Sequence, residues 1–300
     1  MKVVVTGSSG LIGTALVRAL QARGDEVTRL VRRAPTTGEA RWDPEGGQID
    51  APSLEGADAV VHLAGVGIGD SRWTDDHKRA VAESRLKGTT LLAQTLAAVT
   101  DKPTVMASGS AVGYYGVRGD EVLTEDAEVG TGFLADVCKE WEGATRPAED
   151  AGVRVVHLRT GIVLSPDGGA LKQMLLPFKL GLGGRIGSGR QWWSWISIDD
   201  EVGAILHLID NGTERGPVNV TAPNPVTNEE FTRTLNGVLH RPTLLPTPTF
   251  ALRAMFGREA VDEMFLGGQR VVPARLQTGG YGFGHSELEG ALRHLLHRGE

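Results

Sequence analysis

Three hundred residues with one cysteine, 31 basic and 37 acidic side chains and 40% apolar content describe a globular chain of ordinary composition, long enough for a main domain with a smaller lobe. A lone Cys138 excludes a disulfide framework and gives no cysteine-based metal site, and a net charge of −6 offers no general basic field for nucleic acid. The opening apolar run falls short of the ~20 residues of a membrane span, so the expectation is a cytoplasmic protein with no metal, no nucleic acid and no membrane partner.

Through residue 160 the chain alternates short Val- and Leu-rich runs with helical stretches, the pattern of a parallel sheet covered on both faces. Strands are predicted at Lys2–Thr6, Glu26–Val31, 59–63, 104–107 and 154–158, with a further one near 40–42. Helical spacing marks 11–23, closed by Gly24, then Asp75–Ala98 and 133–151. Beyond Gly161 the chain loosens into Gly- and Pro-rich connections, with helices predicted at 170–180, 199–210 and Asn228–Leu239. The tail 282–300 carries Leu288, Leu292, Leu295 and Leu296 at helical spacing. This predicts an α/β fold: a doubly wound parallel sheet over 1–160 and a smaller substrate lobe over 161–300, with some chain crossing back to the sheet and a cleft between them.

Thr6-Gly7-Ser8-Ser9-Gly10-Leu11-Ile12-Gly13 follows the first strand and opens the first helix. Gly7 permits the tight turn, Gly10 lets a pyrophosphate approach the backbone, and Gly13 lets helix and strand pack closely, leaving helix N–H groups for phosphates. Gly7, Ser9, Gly10, Leu11, Ile12 and Gly13 are therefore candidate dinucleotide contacts, and the sheet is predicted to be of the Rossmann type. At the end of the second strand, Leu30-Val31-Arg32-Arg33 holds no carboxylate for a ribose 2′-hydroxyl. Arg32 and Arg33 would instead meet a 2′-phosphate, which favours NADP(H), unless both are solvated loop charges. Asp43, before Pro44, is either an adenine-side contact or a turn residue.

Further landmarks fall in order: His62-Leu63-Ala64-Gly65, Ser108-Gly109-Ser110-Ala111 followed by Tyr115-Gly116, and Arg159. On these the chain resembles the extended short-chain dehydrogenase/reductase superfamily, in its NAD-dependent epimerase/dehydratase branch, over residues 1–220. The resemblance implies that Leu63, Ala64 and Gly65 line the adenosine and ribose, and that Thr160, Gly161 and Ile162 lie near the nicotinamide. It also implies that Ser108 and Arg85 belong to the cofactor site, Arg85 standing where relatives often carry Asn. Arg72-Trp73-Thr74, Ser110-Ala111-Val112-Gly113-Tyr114-Tyr115-Gly116, Gly187-Ser188-Gly189-Arg190-Gln191-Trp192, Trp195-Ile196 and Gln269-Arg270-Val271-Val272-Pro273 extend the likeness. They are similar to an atypical subgroup, the epimerase family of unknown substrate sometimes called cell-division-inhibitor-like, whose C-terminal segment spans about 248–297. Many superfamily members pair through the helices equivalent to Asp75–Ala98 and 133–151, which implies a homodimer.

The superfamily's chemistry normally rests on a Ser or Thr and a YxxxK pair on one helix face. No YxxxK exists here: Tyr114 is followed by Arg118, Tyr115 by Gly119 and Tyr281 by His285. Alignment on Glu142 puts Leu134 at the Tyr position and Cys138 at the Lys position, with Lys139 one residue late and turned by about 100°. Ser110 falls where the superfamily Ser would be. A hydroxyl alone is a poor acid near neutral pH, so Tyr114 and Tyr115 are the candidate proton donors, against packing roles for both. Cys138 is expected as a small buried hydrophobe and His62, His157 and His207 as satisfied core histidines.

Arg72, Trp73, Arg190, Gln191, Trp192 and Trp195 form a candidate substrate wall, suited to a planar or carbohydrate ligand carrying an anionic group. The competing reading of the tryptophans, Trp193 included, is packing between lobes. Five glycines between 180 and 189 fit either a lid or a static loop, and Asp199 and Asp200 are expected to cap the following helix. Two functions are expected: an NADP(H)-binding oxidoreductase or epimerase-like enzyme acting on an unidentified small molecule, or a catalytically silent NADP(H)-responsive binding protein with a regulatory role.

Overall fold

The computed structural model describes residues 1–210, 213–242 and 246–297, so the last three residues of the predicted tail lie outside the described residues. Eight strands form the main sheet: β1 Lys2–Thr6, β2 Glu26–Val31, β3 Glu39–Asp43, β4 Gln48–Ile49, β5 Ala59–His62, β6 Val105–Ala111, β7 Arg154–Thr160 and β8 Gly216–Val220. Their order is β8-β7-β6-β5-β1-β2-β3-β4, parallel throughout except where β4 returns against β3. The order reverses at β1, which lies between β2 and β5, and a ligand crevice is expected outside the strand ends at such a switch point.

The strands need no alternation because helices cover both faces: Val3, Val4, Val5, Val60, Val61 and Met106 are fully buried. On one face α1 (Leu11–Ala22) brings Leu16 and Leu20 against Val3 and Val5; on the other, α2 (Asp75–Ala98) brings Leu92 and Leu96 against Val4 and Val60. Thr74 Oγ1 accepts the His77 amide at 3.2 Å and fixes where α2 begins.

The helix expected over 133–151 is instead two, α3 (Phe133–Gly143) and α4 (Arg146–Asp150). Pro147 has no N–H to continue the ladder, and its ring would meet the Gly143 carbonyl. The chain breaks at Ala144 and Thr145, whose hydroxyl donates to the Glu142 carbonyl at 2.7 Å.

After β7 the chain forms α5 (Gly169–Lys179), then crosses back. Residues Ile205 and Leu208 of α6 (Ile198–Asp210) join the core around β1, and β8 pairs with β7. A separate core packs α5, α7 (Asn228–Leu239) and the tail helix Leu288–Leu295 around Trp195, Phe231 and Leu292. The glycine-rich stretch 180–189 is stitched to the elements around this core. The Ile186 amide donates to Asn228 Oδ1 at 2.7 Å, and the Thr247 amide to the Arg185 carbonyl at 2.8 Å. Among the described residues no helix is long and apolar enough to cross a membrane.

Candidate nucleotide and substrate cavity

A cavity of about 490 Å³ opens at the carboxyl ends of β1, β6 and β7, where Gly7, Ser110 and Thr160 line it together. The glycine turn is fixed by backbone. Gly7 has φ +66°, and a Cβ there would lie 2.6 Å from the Leu63 carbonyl carbon; one on Gly13 would lie 2.2 Å from the Gly7 carbonyl oxygen. Gly10 begins α1 with no side-chain cap, and the first turn holds no acidic residue, so the helix's leading N–H groups stay available. An uncapped helix start behind a cradle that a Cβ would fill fits a dinucleotide's pyrophosphate.

Thr6 closes the floor. Its Oγ1 accepts the Leu63 and Ala64 amides at 3.2 and 3.3 Å and lies 2.7 Å from His62 Nδ1. Burial and the Arg85 charge push His62 down to about 4, so the ring is neutral. It is bonded on both nitrogens, the second to Thr89 Oγ1 at 3.0 Å. Ser108 is fully buried in β6, away from the lining, while Ser9 and Gly65 are exposed. Leu11, Ile12, Leu63, Gly161 and Ile162 all line the cavity.

The basic end of β2 divides its work. Arg33 clamps Glu39 with both terminal nitrogens, at 2.6 and 2.5 Å, and that clamp leads in holding the Glu39 carboxyl down to about 2. Arg29 donates to Ser8 Oγ in the glycine turn at 3.0 Å. Arg32 is exposed and makes no hydrogen bond or ion pair among the described residues, so its charge alone is uncommitted. Asp43 Oδ1 accepts the Gly46 amide at 3.2 Å, which is the turn role.

Ser110 lines the cavity and donates to Glu142 Oε1 at 2.7 Å; the same carboxylate is held bidentately by Arg159 at 2.8 and 2.9 Å. With its proton engaged, the Ser110 oxygen offers the cavity an acceptor. His157 stands behind: its Nδ1 lies 3.8 Å from Glu142 Oε2 with no hydrogen-bond partner, and burial lowers its pKa. Below Thr160, Glu201 is fully buried and accepts the Thr160 hydroxyl at 3.0 Å; burial pushes its carboxyl up to about 8.

The tyrosines do not join Ser110 on the lining. Tyr115 is fully buried and its hydroxyl is occupied, accepting from Arg159 at 3.0 Å and donating to Asn219 Oδ1 at 2.6 Å. Tyr114 lies under the Arg159 guanidinium, 3.5 Å from its ring centre, and stays outside the cavity wall. Leu134 and Cys138 do line the cavity, where the YxxxK side chains were sought. The Cys138 thiol is pushed up to about 11 by burial and the nearby Glu142, and Lys139 is exposed.

Of the expected substrate wall only Trp192 lines the cavity, its indole N–H donating to Asp120 at 2.7 Å. Trp195 is fully buried in the separate core and donates to the Asn224 carbonyl at 3.0 Å, so it packs rather than faces a ligand. Trp73 packs edge-on against Phe133 at 5.0 Å. Gln191 uses its amide on the Ile186 and Phe265 carbonyls, and Arg72 and Arg190 are exposed and outside the lining. None of residues 180–189 lines the cavity either.

Trp193 and Gln269, both in segments named from the sequence, also line the cavity, and Trp141, Glu263 and Met264, which carry no sequence signal of their own, complete its wall. Glu263, from the π-helical turn Val261–Leu266, accepts the Phe133 and Leu134 amides, each at 3.0 Å. It thereby caps α3, whose own N-cap is the side-chain-less Gly132.

Residues 3–221 match the model of the NAD dependent epimerase/dehydratase family, and 247–295 that of a domain of unknown function, DUF1731. An epimerase family protein of Mycobacterium bovis is 48% identical over 99% of this chain and 98% of its own length. The crystal structure of human epimerase family protein SDR39U1 with NADPH superposes with a TM-score of 0.92 at 38% identity, covering 99% of this chain and all of that one. A nucleoside-diphosphate sugar epimerase from Corynebacterium glutamicum gives a TM-score of 0.82 at 41% identity, over 99% of this chain and 58% of that one.

Proposed function

For a chain that belongs to the NAD dependent epimerase/dehydratase family, we propose NADP(H)-dependent oxidation and reduction of a small molecule held beside Ser110. The observation that carries this reading is that the glycine turn and Ser110 open on the same cavity. The NADPH in the human relative's crystal structure supports the choice of cofactor.

When bound, the cofactor supplies the two-electron hydride exchange. The amides of Gly7 to Gly13 and the start of α1 hold its pyrophosphate, and Arg32 meets the 2′-phosphate. Leu63, Ala64 and Gly65 flank the adenosine and ribose; Thr160, Gly161 and Ile162 flank the nicotinamide. Ser110, an acceptor toward the cavity, holds a substrate hydroxyl. On oxidation that hydroxyl's proton passes to Ser110 Oγ as Ser110 passes its own to Glu142 Oε1; on reduction both transfers reverse. The proposed setting is the cytoplasm, with two copies paired along α2 and α3.

One observation favours a second reading, a catalytically silent NADP(H)-responsive regulatory protein: Leu134 and Cys138 line the cavity where a phenol and an amine would serve, and neither Tyr114 nor Tyr115 does. Stopped-flow absorbance against a panel of alcohols and carbonyl compounds separates the two. The enzyme reading expects turnover that Ser110→Ala lowers by about 10²-fold with NADPH affinity retained. Tight NADPH binding without turnover across the panel would leave the regulatory reading standing.

A further inference from the structure

Arg85 is the anomaly of the cavity. Its side chain reaches in from α2, is 8% exposed, and lies over the Trp141 ring at 4.9 Å. Nη1 donates to the Val66 and Val81 carbonyls at 2.9 and 3.0 Å; Nη2 makes no hydrogen bond among the described residues, and Nε is buried without a partner. Among the described residues no carboxylate pairs with its charge: Glu142 is occupied by Arg159 and Ser110, and Glu263 by two backbone amides. Burial lowers the Arg85 pKa, with only the Cys138 thiol acting against it. A buried cation without a counter-ion costs several kcal/mol, so proteins rarely keep one without a partner.

Arg85 Nε is not alone in lacking an acceptor. The indole Nε1 atoms of Trp141 and Trp193 are also buried and unpartnered, and both residues line the same cavity. The three unpartnered atoms on one cavity, Arg85 Nε and the two indole Nε1 atoms, are all donors, a set that a ligand rich in acceptors complements. The same cavity also carries apolar Ile68, Leu134 and Val137.

We propose that the small molecule bound beside Ser110 carries a carboxylate, which Arg85 holds in the cavity with the Trp141 indole N–H as a further donor. This rests on the functional reading above and narrows the substrate to hydroxy- or oxo-carboxylates with an apolar body. A guanidinium matches a carboxylate fork with two parallel bonds, and loss of either partner from such a buried pair is costly.

The test uses the NADP⁺-loaded protein with benzoate and its neutral analogue benzamide as probes, read by tryptophan fluorescence. Wild type is expected to bind benzoate saturably and at least tenfold more tightly than benzamide. Arg85→Gln should erase that tenfold preference. Trp141→Phe, which keeps an aromatic ring beneath Arg85, should reduce the preference by a smaller factor. The proposal is overturned if wild type shows no preference for the anion, or if Arg85→Gln retains it. It is equally overturned if the substitution weakens NADPH and leaves the preference intact, since Arg85 would then serve the cofactor. Absence of NADPH binding by wild type would instead defeat the functional reading itself.

Discussion

The two ends of the cavity are built by different rules. At the nucleotide end one contiguous stretch, Gly7 to Gly13, makes the site from backbone, and its glycines are dictated by neighbouring carbonyls a few ångströms away. At the proposed reacting end Ser110, Glu142 and Arg159 arrive from separate segments and depend on one another through side-chain bonds, while Arg85 and Glu263 are held there by backbone carbonyls and amides. The first end tolerates no added atom, yet asks little of side-chain chemistry. The second tolerates shape changes at single positions and is sensitive to charge. Substitutions that separate shape from charge test this division.

The largest effect is expected at Gly13→Ala, whose Cβ would meet the Gly7 carbonyl oxygen at 2.2 Å with backbone on both sides. NADPH affinity should fall by about a hundredfold or more in a fluorescence titration, the loss expected when phosphate-binding amides are displaced. Unchanged affinity would mean that the turn is not the phosphate site.

Next comes Arg159→Met, which leaves the Glu142 carboxylate buried beside Ser110 with its guanidinium gone. Breaking a buried pair from one side costs about 3–5 kcal/mol, readable as a lower urea midpoint. A loss near that of an exposed pair would show that the reacting end is not held by charge.

Arg32→Glu should lower NADPH affinity about tenfold and leave NADH little changed, because it replaces the uncommitted cation with a repelling charge. Arg33→Ala should do less, since Glu39 already takes up the Arg33 charge. Equal effects from the two would erase the distinction drawn between them.

The smallest and most pH-dependent effect belongs to Glu201. Its carboxyl is held up to about 8 by burial, against an unfolded value of 4.5, so the folded state keeps a proton that the unfolded state has lost between those two pH values. Stability therefore falls as pH rises through this window, and the contribution is fully present only below it. Glu201→Gln should melt several degrees above wild type near pH 8, with the gap closing toward pH 4.5. A gap independent of pH would mean that Glu201 is not protonated in the fold.

What the sequence made legible follows the same division. The dinucleotide turn is readable because its constraint is local, one glycine against the backbone of the next few residues. Asp75–Ala98 and Asn228–Leu239 are readable to their ends because Thr74 and Thr227 cap them, the latter in a reciprocal box with Glu230. The span 133–151 misleads because its apolar spacing runs on past Pro147, whose missing N–H breaks the helix. Tyr115 and Trp195 carry no local signal separating core from cavity: Asn219 from β8 and the Asn224 carbonyl, each remote in sequence, occupy their polar atoms. Glu263 was beyond reach for the same reason. Its place depends on a C-terminal turn packing on a helix start 130 residues earlier. The one available hint was Gly132 itself, a helix start with no cap of its own.

The most direct test of the account is titration of the purified wild-type protein with NADPH and NADH. Saturable binding of NADPH, at least tenfold tighter than NADH, is the predicted result. NADH binding as tightly as NADPH, or no saturable binding of either, would contradict the assignment of the glycine turn and Arg32 to an NADP(H) site.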